Sequence, residues 1–270
     1  MYKKILIATD GKQHSSSAII EAIEIARKFG SEIYLLHALK KMVVSDQFGI
    51  SHSVIAQKLE ESTKKYMELF KGLAIDDGVV KFETIVSYGK EFYTAILEEA
   101  KKRNVDLIMI GRRSMSALSR LILRGVTDKL LRDLPCNVLI VPFTALIQWK
   151  NIILITDFSL KDETVINEAL NLSKIHGSNL IIVSGDAGKK NREEDINIIK
   201  KRIEKEGITI ETLSASGKLS DFVADLVKEK DADVIITGSP ENDGSKHFFR
   251  GSFIDQILDR SLCAVLVIKK

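Results

Sequence analysis

The sequence of 270 residues lacks the features typical of disulfide-rich, zinc-binding, membrane-spanning and secreted proteins. Two cysteines are too few for a disulfide framework, and the five histidines lack the spacing of a zinc site. The apolar stretch around residues 138–147 is interrupted by Pro142 and Thr144, and it is shorter than the ~18 apolar residues that a membrane-spanning helix needs. The first ten residues show neither the apolar core nor the cleavage site of a signal peptide. We therefore expect a cytoplasmic protein that is not inserted in a membrane.

Long runs of one charge are also missing, although the net charge is +3 and the pI is about 8.6. Lysines alternate with acidic residues, as in 98–103 and 228–231, and this pattern is typical of solvated helix faces rather than of a nucleic-acid surface. The sequence contains no Gly-x-Ser-x-Gly, Gly-Lys-Thr, Cys-x-x-Cys or His-Glu-x-x-His motif. We predict no catalytic residue and no metal site, so the chain is interpreted as a binding or regulatory module rather than an enzyme.

The clearest positive feature is an internal repeat. The apolar run before Asp10 returns before Asp157, 147 residues later, and the run before Gly111 returns before Gly238, 127 residues later. This self-similarity predicts two copies of one domain, residues 1–145 and residues 146–270. The second copy is shorter after its second strand, where the first copy carries residues 40–53, predicted to be an extra loop that covers a ligand or contacts a partner.

Each half alternates short apolar runs with helical patterns, which in the first half predict helices at 15–29, 54–70, 92–103 and 118–132. Strands are predicted at 5–9, 33–36, 82–86, 107–110 and 138–141, and again at 152–155, 180–183, 209–213, 234–237 and 265–268. The strands are apolar at successive positions, which indicates parallel sheets covered on both faces. The predicted fold class is therefore α/β, with two doubly wound, five-stranded, Rossmann-like domains. Ligands bind such sheets beyond the carboxyl ends of the strands, which draws attention to Asp10, Asp157, Gly111 and Gly238.

Four features carry a family resemblance: the aspartate after strand one, the glycine after strand four, the loop into the last helix, and the closing strand that follows Pro135. Together they resemble the universal stress protein family, over essentially the whole chain as a tandem pair. The resemblance implies that the two domains form an intramolecular pseudo-dimer. Family members that bind nucleotides carry a loop of Gly, two residues, Gly, nine residues, then Gly with Ser or Thr. Glycine lets backbone N–H groups approach phosphates, and the last pair lies at a helix N-terminus, where the dipole favours an anion.

Both copies of this loop depart from the family pattern. The first copy keeps Gly111 but has Ser114 at the second glycine and Arg124-Gly125 in place of Gly-Ser. The second copy keeps Gly238, Gly251 and Ser252 but has Glu241 at the second glycine, which would repel phosphates unless a metal ion lay between them. Since such a contact costs on the order of 4 kcal/mol at ~4 Å, we predict that a nucleotide binds in the first half.

The ligand implied by the resemblance is ATP or AMP, with Mg²⁺. Its base and ribose would lie near Asp10 and His37, and its phosphates over Gly111, Ser114, Gly125 and Val126. The full set of predicted nucleotide-binding residues is Asp10, His37, Ile110, Gly111, Ser114, Arg124, Gly125, Val126, Asp157, Gly238, Gly251 and Ser252. Other interpretations stay open: Asp10 and Asp157 can instead cap the following turn, and His37 can be a buried structural histidine.

Three functions follow from this set. The first is an adenine-nucleotide sensor, the second is a nucleotide-free stress-response scaffold that acts through an unknown protein partner, and the third is a slow nucleotide hydrolase. We also predict that the two final strands, 138–141 and 265–268, pair side by side within the chain, while a further homodimer stays open. Antiparallel pairing would place Cys136 and Cys263 at opposite ends of the ladder, so we expect no disulfide between them.

Overall fold

The structure is a computed structural model that describes residues 1–39, 49–88, 91–112, 129–131, 133–156, 162–184, 199–204, 207–239, 251–260 and 263–270. The chain divides into two compact units, Met1–Arg113 and Ser114–Lys270. The division into domains at residues 145 and 146 stays a prediction from the sequence.

The first unit contains a parallel sheet. Its strands are β1 (Lys4–Thr9), β2 (Glu32–Leu39), β3 (Phe82–Tyr88) and β4 (Leu107–Arg112), in the order β3-β2-β1-β4. Its described helices are α1 (Ser16–Phe29), α2 (Gly49–Asp76) and α3 (Phe92–Arg103), and a short 3₁₀ turn, Gln13–Ser15, precedes α1. All described strand pairs in this unit are parallel, as the run of apolar strands separated by helical patterns predicted.

Burial explains why these segments form a covered sheet. Ile5, Leu6 and Ile7 of β1 are fully buried at three successive positions, so both faces of this strand are covered. Helix α1 buries one stripe against the sheet, formed by Ala18, Ile19, Ala22, Ile23, Ile25 and Ala26. Residues three and four apart share a helix face, which is why this spacing produces a continuous apolar contact.

Helix α2 is longer than the sequence pattern predicted. The prediction of a loop at 40–53 is wrong for residues 49–53, which are helical. The helix begins at Gly49, whereas the apolar pattern predicted a start at residue 54. It also continues beyond Phe70 to Asp76, because Met67, Phe70 and Ala74 bury one face through its last turns. Ser and His cost only a few tenths of a kcal/mol in a helix, so the polar residues 51–53 do not stop it. Residues 40–48 lie outside the described part of the chain.

The second unit contains a mixed sheet. Its strands are β5 (Asn137–Pro142), β6 (Asn151–Ile155), β7 (Asn179–Ser184), β8 (Ile210–Ser214), β9 (Val234–Gly238) and β10 (Ala264–Ile268), in the order β5-β10-β9-β6-β7-β8. Among the described residues of this unit, helices include α4 (Glu163–His176), α5 (Leu219–Glu229) and α6 (Gly251–Arg260). The four pairs from β10 to β8 are parallel.

The pairing of the two final strands is confirmed. Strands β5 and β10 are antiparallel neighbours, with Leu139 opposite Leu266 at the centre of the ladder. This contact places β5, the last strand of the first repeat, in the second unit. Cys136 and Cys263 precede opposite ends of the ladder, are buried and form no disulfide, as predicted.

The duplication is visible in hydrogen bonds that recur at equivalent positions. Asp106 accepts the backbone N–H groups of residues 3 and 4, and Asp233 accepts those of residues 150 and 151. The hydroxyl of Ser31 donates to the carbonyl of residue 2, and the hydroxyl of Ser178, 147 residues later, donates to that of residue 149. Each copy therefore anchors the start of its first strand in the same way.

No helix within the described ranges is both long enough and apolar enough to cross a membrane.

Candidate functional site

The carboxyl end of β1 forms a tight turn that presents Asp10. Gly11 has φ = 74°, a left-handed conformation that glycine adopts without steric cost. Its N–H donates to Oγ1 of Thr9 at 3.0 Å, and the N–H of Lys12 donates to Oδ1 of Asp10 at 3.1 Å. The second bond is an Asx turn, so Asp10 does cap the turn that follows it. This contact engages one of its carboxylate oxygens.

Asp10 also pairs with His14, a residue that was not predicted to belong to the site. Nε2 of His14 lies 3.2 Å from Oδ1 of Asp10, and the Asp10 side chain is 38% exposed while that of His14 is 11% exposed. Burial by itself would raise the pKa of the Asp10 carboxyl, but the hydrogen bond and charge of His14, with the N–H and charge of Lys12, lower this pKa below its ordinary value. Asp10 is therefore ionised at neutral pH and open to solvent on one side.

His37 ends its strand beside this turn and is a buried structural histidine. Its Nδ1 lies 2.8 Å from the carbonyl oxygen of Thr9, so Nδ1 carries the proton, because a carbonyl only accepts. Burial lowers the pKa of His37, and this effect outweighs the Thr9 hydrogen bond and the charge of Asp10, which act in the opposite direction. The ring is thus neutral near pH 7. It lies against the turn, and its Cε1 is 3.5 Å from where a β-carbon on Gly11 would stand.

Helix α2 completes the turn with two residues that sequence reasoning missed. The hydroxyl of Tyr66 donates to the carbonyl oxygen of Lys12 at 3.2 Å and lies 3.1 Å from Oγ of Ser15. Ser15 in turn is hydrogen bonded to Oγ1 of Thr9 at 2.6 Å. Oγ1 of Thr63 lies 3.3 Å from the position of an added β-carbon on Gly11. These contacts fix the loop between β1 and α1.

Gly111 lies where β4 ends, beside this loop. A β-carbon on Gly111 would lie 2.5 Å from Cα of Ser15 and 2.6 Å from the carbonyl oxygen of His14. Both neighbours are backbone atoms, so glycine is needed here for the close approach of two chain segments. Ile110, the preceding residue, is buried and lies opposite Ala8 in the parallel ladder. The glycine that the resemblance assigned to phosphate binding thus has a packing role in this structure.

The equivalent place in the second unit is arranged differently. Oγ1 of Thr156 donates to Oδ2 of Asp162 at 2.7 Å, and Nζ of Lys270 lies 2.5 Å from Oδ1 of the same carboxylate. A β-carbon on Gly238 would lie 2.2 Å from Cε of Lys270, so the lysine side chain passes directly over the end of β9. Neither Asp162 nor Lys270 was predicted to belong to a site.

The structure brings together part of the predicted residue set. Asp10, His37, Ile110 and Gly111 lie around the ends of β1, β2 and β4, while Gly238 ends β9 and Gly251 begins α6, followed by Ser252. Ser114, Arg124, Gly125, Val126 and Asp157 lie outside the described residues. Within the described ranges, no group of three or more His, Cys, Asp or Glu side chains is arranged to hold a metal ion.

Comparison with known proteins agrees with this geometry. A family model described as the universal stress protein family matches residues 1–142 and 184–269. A universal stress protein of Methanocaldococcus jannaschii is 32% identical over 145 residues, which are 52% of this chain and 82% of that protein. Universal stress protein YxiE of Bacillus subtilis is 33% identical over 149 residues, 52% of this chain and 99% of that protein.

Solved structures share the fold at lower identity. A universal stress protein of Archaeoglobus fulgidus has a TM-score of 0.80 and 21% identity, with 98% of each chain covered. A protein described as a putative universal stress protein of Pseudomonas aeruginosa has a TM-score of 0.67 and 20% identity, with 99% of this chain and 93% of that chain covered. The two matched segments of the family model correspond to the two sequence repeats, and this chain is a member of the universal stress protein family.

Proposed function

We propose that this protein is a stress-response module that binds an adenine nucleotide, ATP or AMP, at the carboxyl ends of β1 and β4. The observation that supports this proposal is the ionised, partly exposed carboxylate of Asp10 at the point where parallel sheets of this type bind ligands. A carboxylate accepts hydrogen bonds from two vicinal hydroxyl groups, which suits the ribose of a nucleotide. Such charge-assisted bonds are about twice as strong as neutral ones.

The turn around Asp10 favours binding because it is held in place before any ligand arrives. The N–H of Lys12 and Nε2 of His14 both contact Oδ1, and Tyr66 ties the following residues to α2. A preorganised carboxylate loses little conformational freedom on binding. The phosphate end of the proposed site, Ser114, Arg124, Gly125 and Val126, and the cytoplasmic location remain predictions from the sequence.

Isothermal titration calorimetry with ATP and with AMP, each with and without Mg²⁺, tests this function. Asp10→Asn keeps the acceptor for the Lys12 N–H but removes the charge. Because hydrogen bonds to charged groups contribute about 1.5–3 kcal/mol, we expect ~10- to 100-fold weaker binding. Asp77→Asn is the matched control, since Asp77 is exposed beyond the end of α2, near the start of β3. Arg124→Ala tests the predicted phosphate end.

Three results would count against the proposal. The intact chain with Mg²⁺ could give no binding heat, the denatured purified protein could release no nucleotide, or Asp10→Asn could bind as tightly as the parent. The first two results together would favour the scaffold function.

One observation favours that second candidate, a stress-response scaffold. Helix α2 leaves Leu59, Leu69 and Leu73 exposed, with 54%, 62% and 50% of their surfaces open to solvent. Leu69 and Leu73 are one helical turn apart and therefore share a face. Exposed apolar patches mark protein contacts when they are contiguous. Analytical ultracentrifugation of the parent and of a Leu69→Glu/Leu73→Glu variant would reveal self-association through this face.

A further inference from the structure

The second unit contains a buried ion pair at the point equivalent to the proposed nucleotide site. The side chain of Asp162 is 2% exposed and that of Lys270 is 13% exposed, although the backbone of Lys270 lies at the surface, and Nζ of the lysine lies 2.5 Å from Oδ1 of the aspartate. The other carboxylate oxygen accepts a hydrogen bond from Oγ1 of Thr156 at 2.7 Å. Isolated buried carboxylates are costly, so the ammonium group is needed to compensate the charge.

The first repeat shows what this pair replaces. Thr156 and Asp162 each lie 147 residues after Thr9 and Ser15, the same offset that relates Asp157 to Asp10. In the first unit, Oγ1 of Thr9 and Oγ of Ser15 are hydrogen bonded at 2.6 Å. The second repeat keeps this contact but exchanges the neutral serine hydroxyl for a carboxylate.

The lysine occupies the space in which a ligand would approach the sheet. Its backbone follows β10, which is parallel to β9 with Ile268 opposite Gly238, and its own N–H donates to Oγ of Ser239 at 3.2 Å. From there the side chain crosses Gly238, since a β-carbon on this glycine would lie 2.2 Å from Cε and 3.2 Å from Nζ. Hydrogen bonding along β9 therefore holds the lysine backbone beside the end of that strand.

We propose that the second repeat closes its own ligand site, with the side chain of Lys270, held by Asp162, filling the space beyond β9. The chain then holds one nucleotide, in the first repeat, and this count rests on the proposed function. Both residues lie outside the segments that the family model matches, 1–142 and 184–269. The pair is therefore a feature of this chain and not of the segments matched by the family model.

Thermal unfolding of four variants of the full chain tests the closure without any nucleotide. Lys270→Met leaves the carboxylate of Asp162 buried without its counter-charge, and we expect the Tm to fall by on the order of 10 °C. Asp162→Ser introduces the residue that the first repeat has at this position. The ammonium group of Lys270 can then turn towards water, so we expect a smaller fall in Tm than for Lys270→Met. The double variant is expected to be more stable than Lys270→Met alone. Lys269→Met, at the neighbouring lysine, removes only a surface hydrogen bond from Nζ to the carbonyl oxygen of Pro135, so it is the matched control and should lower the Tm by at most ~4 °C.

Nucleotide stoichiometry provides the second test. Calorimetry on the parent should give one ATP per chain, and Asp10→Asn should weaken the whole titration. The closure would be overturned by two nucleotide sites per chain, or by a single site whose affinity Asp10→Asn leaves unchanged. It would also be overturned if the losses of Tm in Lys270→Met and Asp162→Ser simply added in the double variant. A parent that binds no nucleotide, combined with rescue of Lys270→Met by Asp162→Ser, would refute the proposed function and still support the closure.

Discussion

The close approach at Gly111 can be tested by adding a single methyl group. In Gly111→Ala the new β-carbon would lie 2.5 Å from Cα of Ser15, whereas carbon atoms pack at ~3.5–4.0 Å. The two segments must therefore separate by about 1 Å. Ser15 does not yield easily, because its hydroxyl is bonded to Thr9 and lies 3.1 Å from the hydroxyl of Tyr66.

Overpacking of this kind costs about 1–3 kcal/mol. The atoms that collide belong to the backbone and no side-chain rotation relieves them, so we expect a loss of ~3 kcal/mol, at the upper end. At about 2–4 °C per kcal/mol, the Tm should fall by roughly 6–12 °C. In urea, the midpoint should fall while the m-value stays the same, because the denatured state is unchanged.

Gly72→Ala is the matched control. Gly72 lies inside α2, and an added β-carbon there meets no heavy atom within 4 Å. Alanine in a helix interior is about 0.5–1 kcal/mol more favourable than glycine, so this variant should be more stable than the parent. If Gly111→Ala were as stable as Gly72→Ala, the proximity of β4 to the 3₁₀ turn would be wrong. The same geometry means that Gly111→Asp would lose nucleotide binding through damage to the turn, so Asp10→Asn is the better test of the ligand.

Three more measurements follow from the described contacts. Burial lowers the pKa of His37 below its ordinary 6.5. As the pH falls below 6.5, the histidine is protonated in the unfolded state but stays neutral in the folded state. The free energy of unfolding therefore decreases by up to about 1.4 kcal/mol per pH unit. Between pH 7 and pH 5, the urea midpoint of His37→Asn should change less with pH than that of the parent. An equal pH dependence in the variant and the parent would contradict the burial effect. Cys136 and Cys263 should react with a thiol reagent only in denaturant, and rapid labelling of the folded chain would show that they are accessible. Tyr66→Phe removes contacts to Lys12 and to the part-buried Ser15 and should lower the free energy of unfolding by about 1 kcal/mol, against less than ~0.5 kcal/mol for Tyr88→Phe, which removes a surface hydrogen bond to Glu60.

The sequence predicted the strands well, and it correctly placed Asp10, His37 and Gly111 near one another, for identifiable reasons. Successive apolar residues such as Ile5, Leu6 and Ile7 can be accommodated only in a strand covered on both faces. In a parallel sheet the carboxyl ends of the strands share one edge, which is why Asp10 and His37 could be expected near each other. The start of α2 was missed because no apolar stripe marks residues 49–53, and periodicity is the main signal for a helix.

Other parts of the site depend on contacts that a local pattern does not contain. Tyr66 reaches the turn after β1 only because α2 packs beside it, and nothing in the spacing around residue 66 indicates that neighbour. The pair of Asp162 and Lys270 is different, because the 147-residue offset aligns Asp162 with Ser15. The replacement of Ser15 by an aspartate at the equivalent position could therefore be seen in the sequence. Its partner Lys270, more than a hundred residues further along the chain, could not be predicted.

The ladder between β5 and β10 joins the final strands of two repeats that share one polypeptide. When two identical chains pair through such strands, symmetry requires every substitution to appear twice, and a change that spoils one site spoils both. In a tandem chain this constraint disappears, and dilution does not separate the strands. Ser15 and Asp162 show the resulting freedom: two copies with a common origin now carry a neutral and a charged residue at the same structural position. Fusion thus allows one repeat to evolve for stability while the other keeps its opening to solvent.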